Sequence, residues 1–320
     1  MLNPLQKWYA DSVSWFKKEY HRDRMRLSLR LTTILLLIYI FLVRHTFWQP
    51  DTLLAIVLLI GVVFGRAREF IVRFVPFLGV LMVYDGLRGL MYHITGRVNW
   101  WPMIHFDRWL GGGQIIGSRI QAILWHGHLE WYSFYFYFLY SIHFVTPIIF
   151  GLILWKFRPK LYWPFVWSIL GTSFLAFVTF VVFPAAPPWM AAQHGLITEP
   201  LHWISSDIWG AMGMQGSVQI VYNNISADPV AAVPSLHAIY PIIESTFILV
   251  AFGWRRVWWI LFYPLSIFLA VLYLGEHYAF DIFISIIYST LTLTAVYYGF
   301  KKYRARHQRH HTSSKTVTAS

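Results

Sequence analysis

Long apolar runs set the terms for this chain. They cover roughly residues 30 to 47, 51 to 65, 70 to 92, 130 to 155, 161 to 183, 235 to 252, 257 to 275 and 278 to 299. In lipid, every backbone N–H and C=O must be satisfied within its own segment, and a helix needs roughly 20 mostly apolar residues to cross. The runs therefore predict an all-α polytopic membrane bundle with about eight transmembrane helices. An ordinary soluble globule is excluded, because only 12% of the residues are charged against roughly 25% in a typical soluble domain. The run at 51 to 65 is short for a span, and a re-entrant hairpin there would change the orientation of the N-terminal residues only.

Lysine and arginine collect in cytoplasmic loops, which orients the bundle. With both termini inside, only Arg44, Arg97, Arg108 and Arg119 of the 26 basic residues fall outside, and Arg88 falls within a span. The segment from Pro184 to Val233 contains no Lys or Arg. The net charge of +12 thus belongs to a membrane surface carrying anionic lipid, not to nucleic acid. The chain has no cysteine, so disulfides, thiolate nucleophiles and Cys-based metal sites are excluded. No cleavable signal peptide is expected, because the first 26 residues are basic and amphipathic. The reading divides the chain into a basic segment with accessory helices at 1–69, a catalytic membrane domain at 70–300 and a disordered cytoplasmic tail at 301–320. Asn224-Ile225-Ser226 is a formal glycosylation sequon in the outer loop.

Two short segments carry chemistry: Pro234-Ser235-Leu236-His237-Ala238 and Gly275-Glu276-His277-Tyr278-Ala279-Phe280-Asp281. A histidine followed four residues later by an aspartate puts both side chains on one helix face, where the carboxylate can fix the imidazole tautomer. The alternating topology brings His237, His277 and Asp281 to the outer interface, although the two histidines are 40 residues apart in sequence. Ionisable groups at membrane depth are costly and usually have partners or functions. Three readings fit the pattern: a buried pair tying helices together, a metal site of two histidines and a carboxylate, and a reactive centre that attacks phosphorus or moves protons.

Pro-Ser-Leu-His-Ala resembles the second signature of the type 2 phosphatidic acid phosphatase superfamily, and His277-x-x-x-Asp281 its third. The run Tyr273 to Asp281, with Phe183-Pro184-Ala185-Ala186-Pro187-Pro188-Trp189, is similar to the branch containing inositol phosphorylceramide synthases. The resemblance covers roughly residues 70 to 300. It implies that His277 is the nucleophile forming a phosphohistidine, that Asp281 holds its tautomer, and that His237 protonates the leaving alkoxide and later deprotonates the incoming hydroxyl. It also implies that Ser235 contacts substrate, that no cofactor or metal is needed, and that the partners are a phospholipid donor and a lipid alcohol acceptor.

The departures from the family pattern carry information. Phosphatases of the superfamily have an arginine six residues before the nucleophilic histidine, where this chain has Val271. Arg158-Pro159 resembles the end of their first signature, yet Lys156 stands only two residues before Arg158 and the loop is expected in the cytoplasm. A phosphomonoester dianion would lack its usual guanidinium clamps, so a phosphodiester donor and head-group transfer are favoured over phosphatase action. Arg88 and Arg108 are the candidate cations for the developing charge. Arg88 can instead pair with Asp85 at i, i+3. Arg108 lies in a segment that also resembles the branch. A packing hydrogen bond and a catalytic role are both open for His143 in the fourth span. Glu244, two turns inward of His237, is expected to bond a neighbouring helix, and His126 and His128 are read as interfacial polar residues. The expected protein is a multi-pass enzyme of the cell membrane whose site faces away from the cytoplasm.

Overall fold

The structure is a computed structural model and describes Ser14 and residues 31–32, 67–91, 97–213 and 230–317. The first two expected spans and the Asn224 sequon lie outside the described residues. The chain divides into two units, Met1–Met82 and Val83–Ser320. Helix α1 covers Ala67–Met91. The second unit continues with α2 (Trp101–Leu110), α3 (Ile116–Leu124), α4 (Trp131–Ser141), α5 (Thr146–Phe157), α6 (Pro159–Val182), α7 (Pro188–Gln193) and α8 (Ile204–Ala211). It ends with α9 (Leu236–Phe252), α10 (Trp254–Val257), α11 (Phe262–Tyr273) and α12 (Ala279–Val317). The described residues form no β-strand beyond isolated bridges linking Asn99, Ala185 and Ala231, so the fold is all-α as expected.

Among the described residues, three helical stretches are long and apolar enough to cross a membrane: Pro159–Val182, Trp254–Tyr273 and Ala279–Arg306. A fourth exists if α4 and α5, bent by 62° at their junction, form one span. Two of the eight expected spans lie outside the described residues, so the count of eight is not confirmed, and α9 and the α4–α5 pair depart from it for local reasons. Helix α9 has 17 residues, about 26 Å at 1.5 Å per residue, against a hydrocarbon core of roughly 30 Å. Pro147 sits in the first turn of α5. It has no N–H to offer the His143 carbonyl four residues back, and α4 and α5 are joined there by a 3₁₀ turn, Ile142–Phe144.

The polarity of the helices is that of a membrane bundle. On α6 and α12, Trp167, Val178, Val182, Phe283, Ile286 and Leu291 are exposed, whereas Ser168, Thr172, Ser173, Ser285 and Ser289 are buried. The buried hydroxyls donate to carbonyls one turn back, as Thr172 does to Ser168 at 2.7 Å and Ser289 to Ser285 at 2.7 Å. Small, self-satisfied polar residues let helices approach closely where lipid supplies no hydrophobic drive for packing.

Basic loops gather at one end of the bundle. Arg158 Nε donates to the Ala251 carbonyl at 2.7 Å, and Arg304 to the Lys160 carbonyl at 3.2 Å. Helix α12 runs on to Val317, over residues for which the sequence reading expects a disordered tail; lysine, arginine and alanine are good helix formers. At the other end the short helices α2, α3, α7 and α8 meet the loops before α9 and α12. There Met103, Ile104, Ile115, Ala185, Ala191, Val233 and Tyr278 form a buried cluster.

Candidate active site

His277 closes the turn between α11 and α12, and Asp281 lies in the first turn of α12. The histidine Nδ1 stands 3.1 Å from Asp281 Oδ2. Since a carboxylate only accepts, this contact assigns the proton to Nδ1 and leaves the lone pair on Nε2. The Tyr278 amide donates to the same oxygen at 2.9 Å, which fixes the carboxylate against its own helix. Asp281 is wholly buried and His277 is 7% exposed, so the pair is largely shielded from bulk water. Among buried side-chain oxygens, Asp281 Oδ1 has no hydrogen-bond partner.

His237 lies in the first turn of α9, with its ring centroid 5.7 Å from that of His277. The expected convergence of His237, His277 and Asp281 is thus present. Ser235, buried and at the N-cap, accepts a 3.4 Å hydrogen bond from the Ala238 amide, while its carbonyl receives Ser285 Oγ from α12 at 3.0 Å. These bonds tie the start of α9 to α12 and set the His237 backbone opposite the His277 turn. His143 lies against His237 at 4.2 Å, tilted by 33°, and Tyr140 is stacked on His237 at 4.1 Å and 11°.

The turn carrying His277 is held from below. The amides of Glu276 and His277 both donate to the Val271 carbonyl, at 3.1 and 3.2 Å. The Val271 side chain is fully buried in an apolar cluster with Leu139, Ala238, Ile267 and Ile282. The position that bears arginine in the resembling phosphatases is therefore packed with hydrocarbon. Gln121 donates to the carbonyls of Tyr273 at 2.7 Å and His202 at 2.9 Å, and accepts from the His202 amide at 2.8 Å. Glu276 accepts from Trp203 Nε1 at 2.9 Å beneath the stacked Trp189 and Trp203 rings. Burial raises its carboxyl above the usual range.

Asp107 organises the other side. Its carboxyl accepts from the Phe280 amide at 3.1 Å and the Ile116 amide at 3.3 Å, so one side chain caps the starts of α12 and α3. Burial outweighs these bonds and lifts its pKa to about 7. Arg108 is engaged by Glu199: Nε to Oε1 at 3.1 Å and Nη2 to Oε2 at 2.9 Å. The guanidinium holds that carboxyl down at about 2. Arg108 also lies close enough to Tyr278 to act on its phenol electrostatically. The side chain of Arg88 lies outside the described residues. Arg158, bonded at the far end of α9, is about 24 Å from Ser235 by helix rise, which removes it from the site. Among the described residues, no group of three or more His, Asp or Glu is arranged to hold a metal ion.

Glu244 is fully buried beside Thr146 and Tyr263 of neighbouring helices, with no hydrogen-bond partner among the described residues on either carboxylate oxygen in place of the expected bond, and His128 pairs with Glu130 at 3.0 Å. Sequence reasoning missed Asp107, Gln121 and Glu276. The only hint for Asp107 was its place beside Arg108 in a segment of recognised resemblance.

A paired imidazole and carboxylate with a free Nε2, facing a second imidazole, has the makings of nucleophile, orienter and proton carrier. Residues 101–295 match the family model of the PAP2 superfamily, and the chain belongs to that superfamily. Over 169 residues it is 28% identical to a phosphoinositol dihydroceramide synthase of Bacteroides thetaiotaomicron. That alignment covers 50% of this chain and 53% of the relative, so the chain spans about half the length of the curated relative it matches. No solved structure matches the chain.

Proposed function

We propose that this protein is a membrane enzyme that moves a phosphorylated head group, of the phosphoinositol type, from a phospholipid donor to a lipid alcohol. The observation that carries the reading is His277 Nδ1 bonded to buried Asp281, with His237 across from it. His277 Nε2 attacks the phosphorus of the donor diester. A P–N bond forms, the P–O bond to the leaving lipid alcohol breaks, and that oxygen takes the proton of the His237 imidazolium. The incoming lipid alcohol then gives its proton to His237 as its oxygen attacks phosphorus. The P–N bond breaks and its electron pair returns to Nε2, so both histidines end as they began.

Val271 supports transfer from a diester over hydrolysis of a monoester, because an apolar cluster occupies the position of the phosphatase arginine. A charge-assisted hydrogen bond is worth about 1.5–3 kcal/mol, so its loss for a dianion disfavours monoesters by roughly 10 to 100-fold. The name of the bacterial relative supports a phosphoinositol head group and a sphingoid-type alcohol as acceptor. The catalytic unit on this reading is 70–300, with residues 1–69 accessory. Ser235 and Arg108 contact the phosphate, Arg108 after exchanging Glu199 for substrate, and Arg88 is a second candidate cation. The charge distribution supports a site on the extracytoplasmic face of the cell membrane.

The purified protein should transfer the head group of phosphatidylinositol to ceramide or diacylglycerol while releasing little phosphate from phosphatidic acid. Efficient phosphate release without transfer to any alcohol offered would favour a lipid phosphate phosphatase instead.

A further inference from the structure

We propose that the break between α4 and α5 is a jaw that fixes the ring of His237, with His143 as its positioning residue; this rests on the reading of His237 as proton carrier. Tyr140 and His143 stand three residues apart. Side chains so spaced on one helix face are neighbours, roughly 5–6 Å between Cβ atoms, and both can reach the same ring. Here the His237 ring has Tyr140 at 4.1 Å and His143 at 4.2 Å. Tyr140 is stacked on it at 11° and His143 is tilted to it by 33°, so two rings from the α4–α5 junction hold it. The contacts are made where Pro147 has no N–H for the His143 carbonyl and the chain passes through a 3₁₀ turn and a 62° bend.

The jaw is backed. Tyr240, one turn along α9 from His237, stacks on His143 at 4.6 Å and 10°. Its hydroxyl is 2.7 Å from Ser173 Oγ on α6. His143 is 5% exposed. The rings of Tyr140 and His143, the latter backed by Tyr240, therefore pack against the His237 imidazole and restrict its swing. Proton transfer needs a nitrogen aimed within hydrogen-bond reach of the leaving oxygen, and a ring free to swing would miss it.

The test compares His143→Leu, which removes the flat ring, His143→Phe, which keeps one, and Tyr140→Leu. Each purified variant is given two donors with the same phosphorylated head group, phosphatidylinositol and a nitrophenyl diester, and the first-turnover burst of released alcohol is measured. Nitrophenolate departs without protonation. His143→Leu and Tyr140→Leu are expected to slow diacylglycerol release on the order of 100-fold while nitrophenol release stays within about 3-fold of wild type, and His143→Phe should resemble wild type on both. The nitrophenyl burst also reports a folded nucleophile. Equal slowing on both donors, no slowing on either, or a His143→Phe as impaired as His143→Leu would overturn the jaw. His237→Ala separates the two ideas. If it shows the donor selectivity and His143→Leu does not, the jaw fails alone; if it slows both donors alike, the role of His237 fails.

Discussion

Replacing Gly275 with alanine should damage the site more than its size suggests. Gly275 has φ +79° and closes the turn that delivers Glu276 and His277. An L-residue there costs roughly 1–2 kcal/mol for the left-handed backbone. A β-carbon would also stand 2.8 Å from the His202 carbonyl oxygen. That oxygen cannot yield cheaply, because Gln121 bonds both it and the Tyr273 carbonyl. Overpacking against fixed backbone adds about 1–3 kcal/mol, for a total of roughly 2–5 kcal/mol and a fall in Tm on the order of 3–8 °C for a chain of 320 residues. Turnover should fall further than stability, since the strain is released by moving the His277 turn. Gly195→Ala is the control. Gly195 has φ +70° with nothing within 4 Å of the added carbon, so only the backbone cost applies, and turnover should stay within about 2-fold of wild type. Thermal melts and head-group transfer rates in detergent measure both. A Gly275→Ala variant that melts and turns over like Gly195→Ala would refute the reasoning.

Asp107 gives a pH signature. Burial raises its pKa from 3.8 to about 7, so between those values the folded chain holds a proton that the unfolded chain has lost. Stability from this group is fully present below about pH 4 and declines as pH rises to about 7. Asp107→Asn does not titrate, so its Tm relative to wild type should shift in the variant's favour over that range; a constant difference would refute the assignment. Orientation is testable because the chain has no cysteine. A cysteine at Gln193 should react with an impermeant thiol reagent in intact cells and one at Gly253 should not, and the reverse pattern would invert the topology.

The sequence made the reactive residues legible and left their support hidden. His277 and Asp281 sit four apart, so a single helical turn predicts their meeting. His237 could be brought to them because alternating spans return to one side of the membrane. Asp107 reaches the Phe280 amide across 173 residues, and Arg108 reaches Glu199 across 91. Those pairings depend on how the short helices of the cap pack, which no periodicity encodes. The expected fourth span read as continuous because its composition is uniformly apolar, and a single proline outweighed that composition. Val271 showed in sequence that an arginine was missing, and only the packing of Leu139, Ala238 and Ile282 showed what fills its position.

The most direct measurement looks for the covalent intermediate. Purified protein is incubated with phosphatidylinositol labelled in the head group, without acceptor alcohol, quenched and mapped by mass spectrometry. The account requires an acid-labile phosphoinositol adduct on His277 that is discharged by added lipid alcohol. It should be absent in His277→Ala and strongly reduced in Asp281→Asn, with both variants still inserting and purifying normally. A His277→Ala variant that transfers the head group at the wild-type rate, or an adduct on another residue, would contradict it.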